Sequence, residues 1–247
     1  MRPRYHHQYS SAYSHPLPIE RRTSVFPYIL AGILLALCGF ALWWMLAAQN
    51  PLAIFGRSDA PTISNRTIML ELSGQRFAIP ENYLRTSEQR TGGVVNQIDL
   101  QTIWPSMSGF NDSEADDFRD KSDTSRVLYI TLTAPAQVWR PAERFYQVYP
   151  YYFAGPEEDA RYGLKQRRMD DGSGLGDHDV LYHQGTDSFH LFHCLRDTSE
   201  LMPADCVADK VVEPRILARY RFRRAMLVDW QEIDEAVEHL LARFAAR

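Results

Sequence analysis

Apolar residues alternate with polar ones in a series of short runs along the C-terminal two hundred or so residues, the pattern of half-buried β-strands. Thr67 to Leu72 and Gln75 to Ile79 flank Ser73-Gly74, which predicts a two-stranded hairpin. Val94 to Trp104, Arg126 to Leu132, Gly163 to Met169, Asp179 to Gln184, Ser188 to Arg196, Cys206 to Val212 and Ile216 to Leu227 continue the series. Many short strands joined by turns make a mainly antiparallel sheet the default. Helical spacing occurs in two places. Pro141 to Tyr149 places Phe145, Val148 and Tyr149 at helical offsets, with Pro141 at the first position and Pro150 ending the run. Trp230, Ile233, Val237, Leu240, Leu241 and Phe244 form one stripe, which predicts a C-terminal amphipathic helix packed on the sheet. Asp229 and Glu232 are spaced as a capping box, and Arg243 and Arg247 fall at the negative end of the helix dipole. The predicted class is α+β.

A different pattern precedes this domain. Between Val25 and Ala48 no residue is charged, and the stretch amounts to about 36 Å of helix, enough to span a bilayer with some tilt. Phe26 and Tyr28 at one end and Trp43 and Trp44 towards the other suit the headgroup boundaries, and Pro27 falls in the first turn. Residues 1–24 carry Arg2, Arg4, Arg21 and Arg22 against Glu20, so the positive-inside rule places this head in the cytoplasm, as a disordered tail. Gly32 and Gly39 are not spaced as a GxxxG pair, which gives helix dimerisation no support. The expected organisation is a cytoplasmic tail (1–24), a single transmembrane helix (25–48), a tether rich in Pro and Gly (49–62) and a periplasmic domain (63–247). A cleaved signal peptide is the rival reading, but its apolar core should be roughly 7–15 residues behind a short basic start.

Composition changes this picture only at its edges. The chain has 247 residues, 45% hydrophobic and 23% charged, which fits one ordinary globular domain besides the span and excludes collagen, a coiled coil and full disorder. With 27 Lys+Arg against 31 Asp+Glu there is no cationic surplus, so nucleic acid is not an expected partner. Lysine occurs only at 121, 165 and 210; the arginine bias reads as a GC-rich genome, and a Gram-negative bacterium fits. Cys38 lies within the span. Cys194 and Cys206 flank a polar segment at a spacing that allows two strands to be stapled across a turn, and in an oxidising periplasm a disulfide is expected there.

The segments FAIPENYLR at Phe77 to Arg85, IDLQTIWP at Ile98 to Pro105, the Cys194 and Cys206 pair and MLVDWQEI at Met226 to Ile233 give the chain a likeness. It resembles a set of uncharacterised single-pass inner-membrane proteins of Gram-negative bacteria with a periplasmic domain. The resemblance implies an anchor, an export direction and a fold, and carries no activity.

Candidate chemistry is sparse. His178, His183, His190 and His193 precede Cys194, the residue types of a zinc site, but in an extended strand His190 shares a face with Phe192 and Cys194 while His193 points the other way. The turn from Asp170 to Asp179 has carboxylates and glycines suited to calcium, without the spacing of an EF-hand and without a phosphate-binding fingerprint. G-x-S-x-G, H-E-x-x-H and S-x-x-K are all absent. No catalytic residue, cofactor or metal is assigned. Two features suit binding better. Residues 106–125 form a long acidic segment with Asp112, Glu114, Asp116, Asp117, Asp120 and Asp123, either a solvated loop or a docking loop. Arg219, Arg221 and Arg223 share one face of a strand, opposite Tyr220, Phe222 and Met226. That stripe is either a solvated sheet face or a contact for lipid phosphates, for an acidic partner or for the acidic segment of its own domain. The aromatic run from Trp139 to Phe153 is core, or an interface where exposed. The leading expectation is a non-enzymatic, membrane-anchored periplasmic protein that binds or scaffolds other envelope proteins; an envelope-acting hydrolase and a binder of anionic lipid or polymer are the alternatives.

Overall fold

The computed structural model describes residues 28–29, 31–39, 60–196 and 203–246. Residues 28–29 and 31–39 are helical, and the described residues from Ala60 on fold as a separate unit. Among the described residues no helix is long and apolar enough to cross a membrane. All of the expected tail, most of the expected tether and both ends of the expected span lie outside them.

The unit holds two sheets. β1 (Thr67–Leu72), β2 (Gln75–Pro80) and β3 (Gly93–Val95) form the smaller one in the order β2-β1-β3. The expected hairpin is present: Ser73 and Gly74 turn the chain at φ 52° and 85°, the positive values that a tight two-residue turn requires. β3 pairs with β1 in parallel, as Leu70↔Gly93 to Leu72↔Val95. The larger sheet is antiparallel throughout, with strands β4 (Gln97–Ile103), β5 (Val127–Thr133), β6 (Phe153–Asp159), β7 (Lys165–Met169), β8 (His178–Gln184), β9 (Phe189–Leu195), β10 (Asp205–Glu213) and β11 (Ile216–Arg223). Their order is β4-β5-β11-β10-β9-β8-β7-β6. Among the described residues of this unit three α-helices accompany the strands: α1 (Ala115–Arg119), α2 (Pro141–Gln147) and α3 (Trp230–Phe244).

The α+β class and the mainly antiparallel pairing agree with the sequence reading, and several boundaries differ from it. The run Val94 to Trp104 is broken at Asn96, so that β3 and β4 belong to different sheets. β11 stops at Arg223, and residues 224–229 form a 3-10 turn instead of extending the strand. β6 escaped prediction because Phe-Ala-Gly-Pro-Glu-Glu-Asp has no apolar alternation; it is an edge strand, largely exposed. The expected capping box at α3 is replaced by another contact: Asp229 makes no side-chain cap, and its Oδ2 accepts a hydrogen bond from Trp104 Nε1 at 3.0 Å.

The main core lies on the inner face of the large sheet, under α3 and the small sheet. Ile233, Val237 and Leu240 of α3 are fully buried there with Phe77, Ile79, Leu100, Ile130, Phe192 and Tyr220 or nearly so. Each buried aliphatic side chain of this kind contributes roughly 1.5–3 kcal/mol. On the outer face α2 packs Phe145 against Met169, Val180, Tyr182 and Leu191, while Phe110 and Phe118 cover Ile103 and Val127 at the β4–β5 end.

The ladder between β9 and β10 is short. It comprises Cys206↔Cys194, Val207↔His193 and Ala208↔Phe192, and its first position is closed by the Cys194–Cys206 disulfide that the spacing predicted. Beyond it β9 stays paired to β8 as far as Gln184↔Phe189, and β10 to β11 as far as Glu213↔Ile216. The two strands therefore splay, and the sheet forks.

Candidate functional site

Strand alternation puts Arg219, Arg221 and Arg223 of β11 on the outer face, with Ala218, Tyr220 and Phe222 turned into the core. Two of the three arginines are held by carboxylates of the neighbouring strand. Arg219 grips Asp209 through Nε at 2.7 Å and Nη2 at 3.0 Å, and Arg144 of α2 bonds the same carboxylate from above. Burial works against the charge on Asp209, but the two guanidiniums more than offset it and hold its pKa below the usual range. Arg223 donates to Asp205 at 2.6 Å and to the backbone carbonyls of Ser122 at 3.0 Å and Lys121 at 2.9 Å. Of the alternatives left open for the arginine stripe, it does meet the acidic segment of its own domain, through peptide carbonyls. Asp205 and Asp209 were missed in the sequence. Their four-residue spacing on a strand paired with β11 was the available signal.

Arg221 is held more loosely. Its guanidinium lies 4.9 Å from the centre of the Tyr129 ring and 3.6 Å from Asp205, and its side chain stays 48% exposed. Arg85 lies over the same ring at 4.7 Å, and Lys121 Nζ donates to the Tyr129 hydroxyl at 3.3 Å. Three cations thus surround one half-buried tyrosine, an arrangement in which the ring's negative face offsets part of the repulsion.

Residues 106–125 form turns and the short helix α1. Asn111 caps a short turn by accepting from Glu114 N at 3.0 Å, and Glu114 accepts from Ser106, Ser108 and Asn111. Those hydrogen bonds, Ser108's foremost, lower the Glu114 pKa. Asp116 pairs with Arg119 at 3.0 Å and Asp117 with Arg126 at 3.4 Å. Asp120 accepts from the backbone and hydroxyl of Ser122, which lowers its pKa, and Asp112 is exposed. The segment is anchored from below by Phe110 and Phe118, so its acids form a fixed rim beside the Tyr129 cluster.

The histidines fall into two pairs, His183 with His190 and His178 with His193. His190 faces the core side, with Nδ1 3.3 Å from Asp234 Oδ2, while His193 faces α2, stacked on His178 at 4.7 Å and near Tyr149. Among the described residues no three His, Cys, Asp or Glu side chains are placed to hold a metal ion. The calcium-like turn is spent on structure: Asp170 accepts from Gly172 N, and buried Asp179 binds Arg196 at 2.9 Å and Arg224 at 3.3 Å. Of the aromatic run, Phe145 is core, whereas Tyr146, Tyr151 and Tyr152 are exposed.

Burial and the nearby charges of His178, Arg144 and Arg219 push the His193 pKa down to about 4, against an opposing pull from Asp209. The unfolded chain therefore binds a proton that the folded domain refuses between about pH 6.5 and 4, and stability falls as pH drops through that window. Thermal melts should show a midpoint lower at pH 4.5 than at pH 7, and His193→Phe should flatten this part of the profile. An unchanged slope in the variant would assign the acid sensitivity elsewhere.

One constellation had no counterpart in the sequence reading. At the fork, Asp234 of α3 accepts from Tyr220 Oη at 2.6 Å and from Lys210 Nζ at 2.9 Å, with His190 completing the set; Lys210 also reaches Glu238 at 2.6 Å. Burial would raise the Asp234 pKa, yet the donors from His190, Tyr220 and Lys210 prevail and lower it to about 2. A cleft of about 480 Å³ opens beside this network, between Ser188–Leu191 on β9's side and Ala208–Val211 on β10's.

No protein-family model and no curated protein matches the chain. Two solved structures do. An immunity protein of the Stenotrophomonas maltophilia type IV secretion system superposes with a TM-score of 0.52 at 17% identity, covering 74% of this chain and 95% of that one. The iron-regulated outer membrane lipoprotein FrpD of Neisseria meningitidis gives a TM-score of 0.48 at 13% identity, covering 76% of this chain and 98% of its own. The first likeness is one of fold.

Proposed function

We propose that the chain is a membrane-anchored, non-enzymatic binding protein of the cell envelope that presents its disulfide-bonded domain to a protein partner in the periplasm. The observation that carries this reading is the cationic cluster of Arg85, Lys121 and Arg221 around Tyr129, set on a rigid sheet beside a fixed acidic rim. Charges of both signs held in place around an aromatic ring suit recognition of a protein surface. The Cys194–Cys206 bond supports an oxidising compartment. The uncharged run from Val25 to Ala48 supports an anchor. A solved domain of like fold is an immunity protein of a secretion system, and a protective role of that kind is the specific form of the proposal: a domain displayed outside the inner membrane that occupies an incoming secreted protein.

A membrane-impermeant crosslinker applied to cells with a permeabilised outer membrane, followed by mass spectrometry, tests the reading. A protein should be crosslinked reproducibly, and Arg221→Glu should reduce its yield about tenfold, the effect of losing roughly 1.4 kcal/mol at a charged contact. A variant carrying Asp116→Asn, Asp117→Asn and Asp120→Asn should change the yield in the same experiment. Full reaction only after the inner membrane is opened would reverse the orientation, and no specific protein under any condition would remove the binding role.

A further inference from the structure

The fork between β9 and β10 leaves backbone groups facing each other across a gap. Gly185 N donates to Ser188 O at 2.9 Å, which sets the alternation along the β8–β9 hairpin. His183↔His190, Leu181↔Phe192 and Asp179↔Cys194 are then the pairs that exchange hydrogen bonds, and Phe189, Leu191 and His193 direct their N–H and C=O away from β8. His193 meets Val207 of β10, so residues of that parity on β10, Val211 among them, point back toward β9. Past Ala208↔Phe192 no further position pairs β9 with β10 among the described residues, and by the same parity the peptide groups of Phe189 and Val211 are directed into the gap.

Other edges of the two sheets are guarded. β6 carries Pro156, Glu157, Glu158 and Asp159, residues that resist the addition of a strand. β4 is covered by the Leu84↔Leu100 bridge and by Arg85 N donating to Asp99 O at 3.0 Å, and β2 by the Phe77↔Ala245 bridge. β3 is only three residues long. The inner edge of β10 is guarded less: its register shift falls between Val211 and Glu213, at the far end of the strand, and Lys210 is held by Asp234 and Glu238, while Val211 and Val212 are strong strand formers and the edge opens into the 480 Å³ cleft. An adjoining cleft continues along β10 past Glu213 and Glu238, both exposed; Glu238 is shared with Lys210 at 2.6 Å and Arg76 also lines the cleft, which leaves Glu213 as its carboxylate with no ion pair among the described residues.

We propose that this fork receives an extended segment of a protein partner, which adds to β10 as a strand and sets a basic side chain against Glu238 and Glu213. Backbone pairing supplies adhesion and the flanking carboxylates supply selectivity, as in other cases of strand addition. The inference rests on the reading of the chain as a protein-binding module, but its surface is separate from the Tyr129 cluster.

The test uses the full chain in detergent micelles. Amide exchange followed by NMR should find Phe189 and Val211 exchanging fast while Val207 and His193 are protected; protection of Val211 equal to Val207 would mean a closed fork and overturn the proposal. A displayed library of random nine-residue peptides is then the probe. Selected sequences should alternate β-branched residues with Lys or Arg, slow exchange at Phe189 and Val211 about tenfold or more, and lose binding to Val211→Pro, which removes an N–H of the gap and not one shared with β11. Glu238→Lys, a milder change, should turn the selected charge from basic to acidic. Peptides that protect other amides and bind both variants as well as the parent would overturn the fork and leave the binding role standing. A library that yields no binder to a fork found open would also overturn it, and in that case a specific crosslinked partner sensitive to Arg221→Glu would still uphold the wider reading.

Discussion

Replacing Asp234 by alanine is expected to lower the midpoint of thermal unfolding by roughly 10 °C or more, from a loss of about 3–5 kcal/mol in a domain of this size. The carboxylate is the common acceptor for Tyr220, Lys210 and His190, and the Tyr220 hydroxyl is fully buried. Alanine leaves that hydroxyl without its acceptor and takes one of two carboxylates from a half-buried ammonium. Tyr220→Phe should cost only about 1 kcal/mol, because Lys210 and His190 still satisfy the acceptor it leaves behind. The same network predicts a pH window. Asp234 has a pKa lowered to about 2 in the folded domain against about 3.9 in an unfolded chain, so its contribution is complete above pH 4 and is lost as pH falls from there toward 2. Melting curves at pH 7 and pH 2.5 check both parts. A D234A midpoint within about 2 °C of the parent at pH 7 would show that the network does not support the fold.

Where one face of an element is buried and the other solvated, the sequence carried the element. β1, β2, β5 and most of β11 alternate buried with more exposed positions, and α3 repeats its buried ones at helical spacing, so each was legible within a residue or a few. β6 was not, because an exposed edge strand has no face to bury and its composition reflects protection against pairing. The acidic segment read as loop because Phe110 and Phe118, the two side chains that fix it, stand alone among charges. At the candidate site the arginine stripe was legible from alternation, but its partners Asp205 and Asp209 depend on which strand lies next to β11, a fact of register. Asp234 was hidden more deeply. It sits four residues after Trp230 on the apolar stripe of α3, where a carboxylate looks like an interruption until Tyr220 and Lys210 are seen to meet it. The fork itself has no local signature, since it arises from two strands each correctly paired on its other side.

Reduction of the Cys194–Cys206 bond, or its removal by Cys194→Ala with Cys206→Ala, should destabilise the domain by about 3 kcal/mol, the chain-entropy value for a loop closed over a separation of 12 residues. That corresponds to a fall in midpoint of roughly 6–12 °C, readable with and without reductant. The effect should be concentrated in one place. The bond lies at the closed end of the fork, in a β9–β10 ladder of only three positions, whereas the flanking ladders are longer. Without the bridge, amides of Val207 and His193 should lose protection before those of β8 or β11, because the fork can then lengthen without disturbing either neighbouring strand pair. Uniform loss of protection across the sheet would instead mean that the bridge acts only on the unfolded chain. Either way the reduced domain is the weaker one, and chain retained in a reducing compartment should be degraded faster than exported chain, a difference that pulse-labelling of wild type and the double variant measures: the variant should turn over fast on both sides of the membrane, the parent only inside.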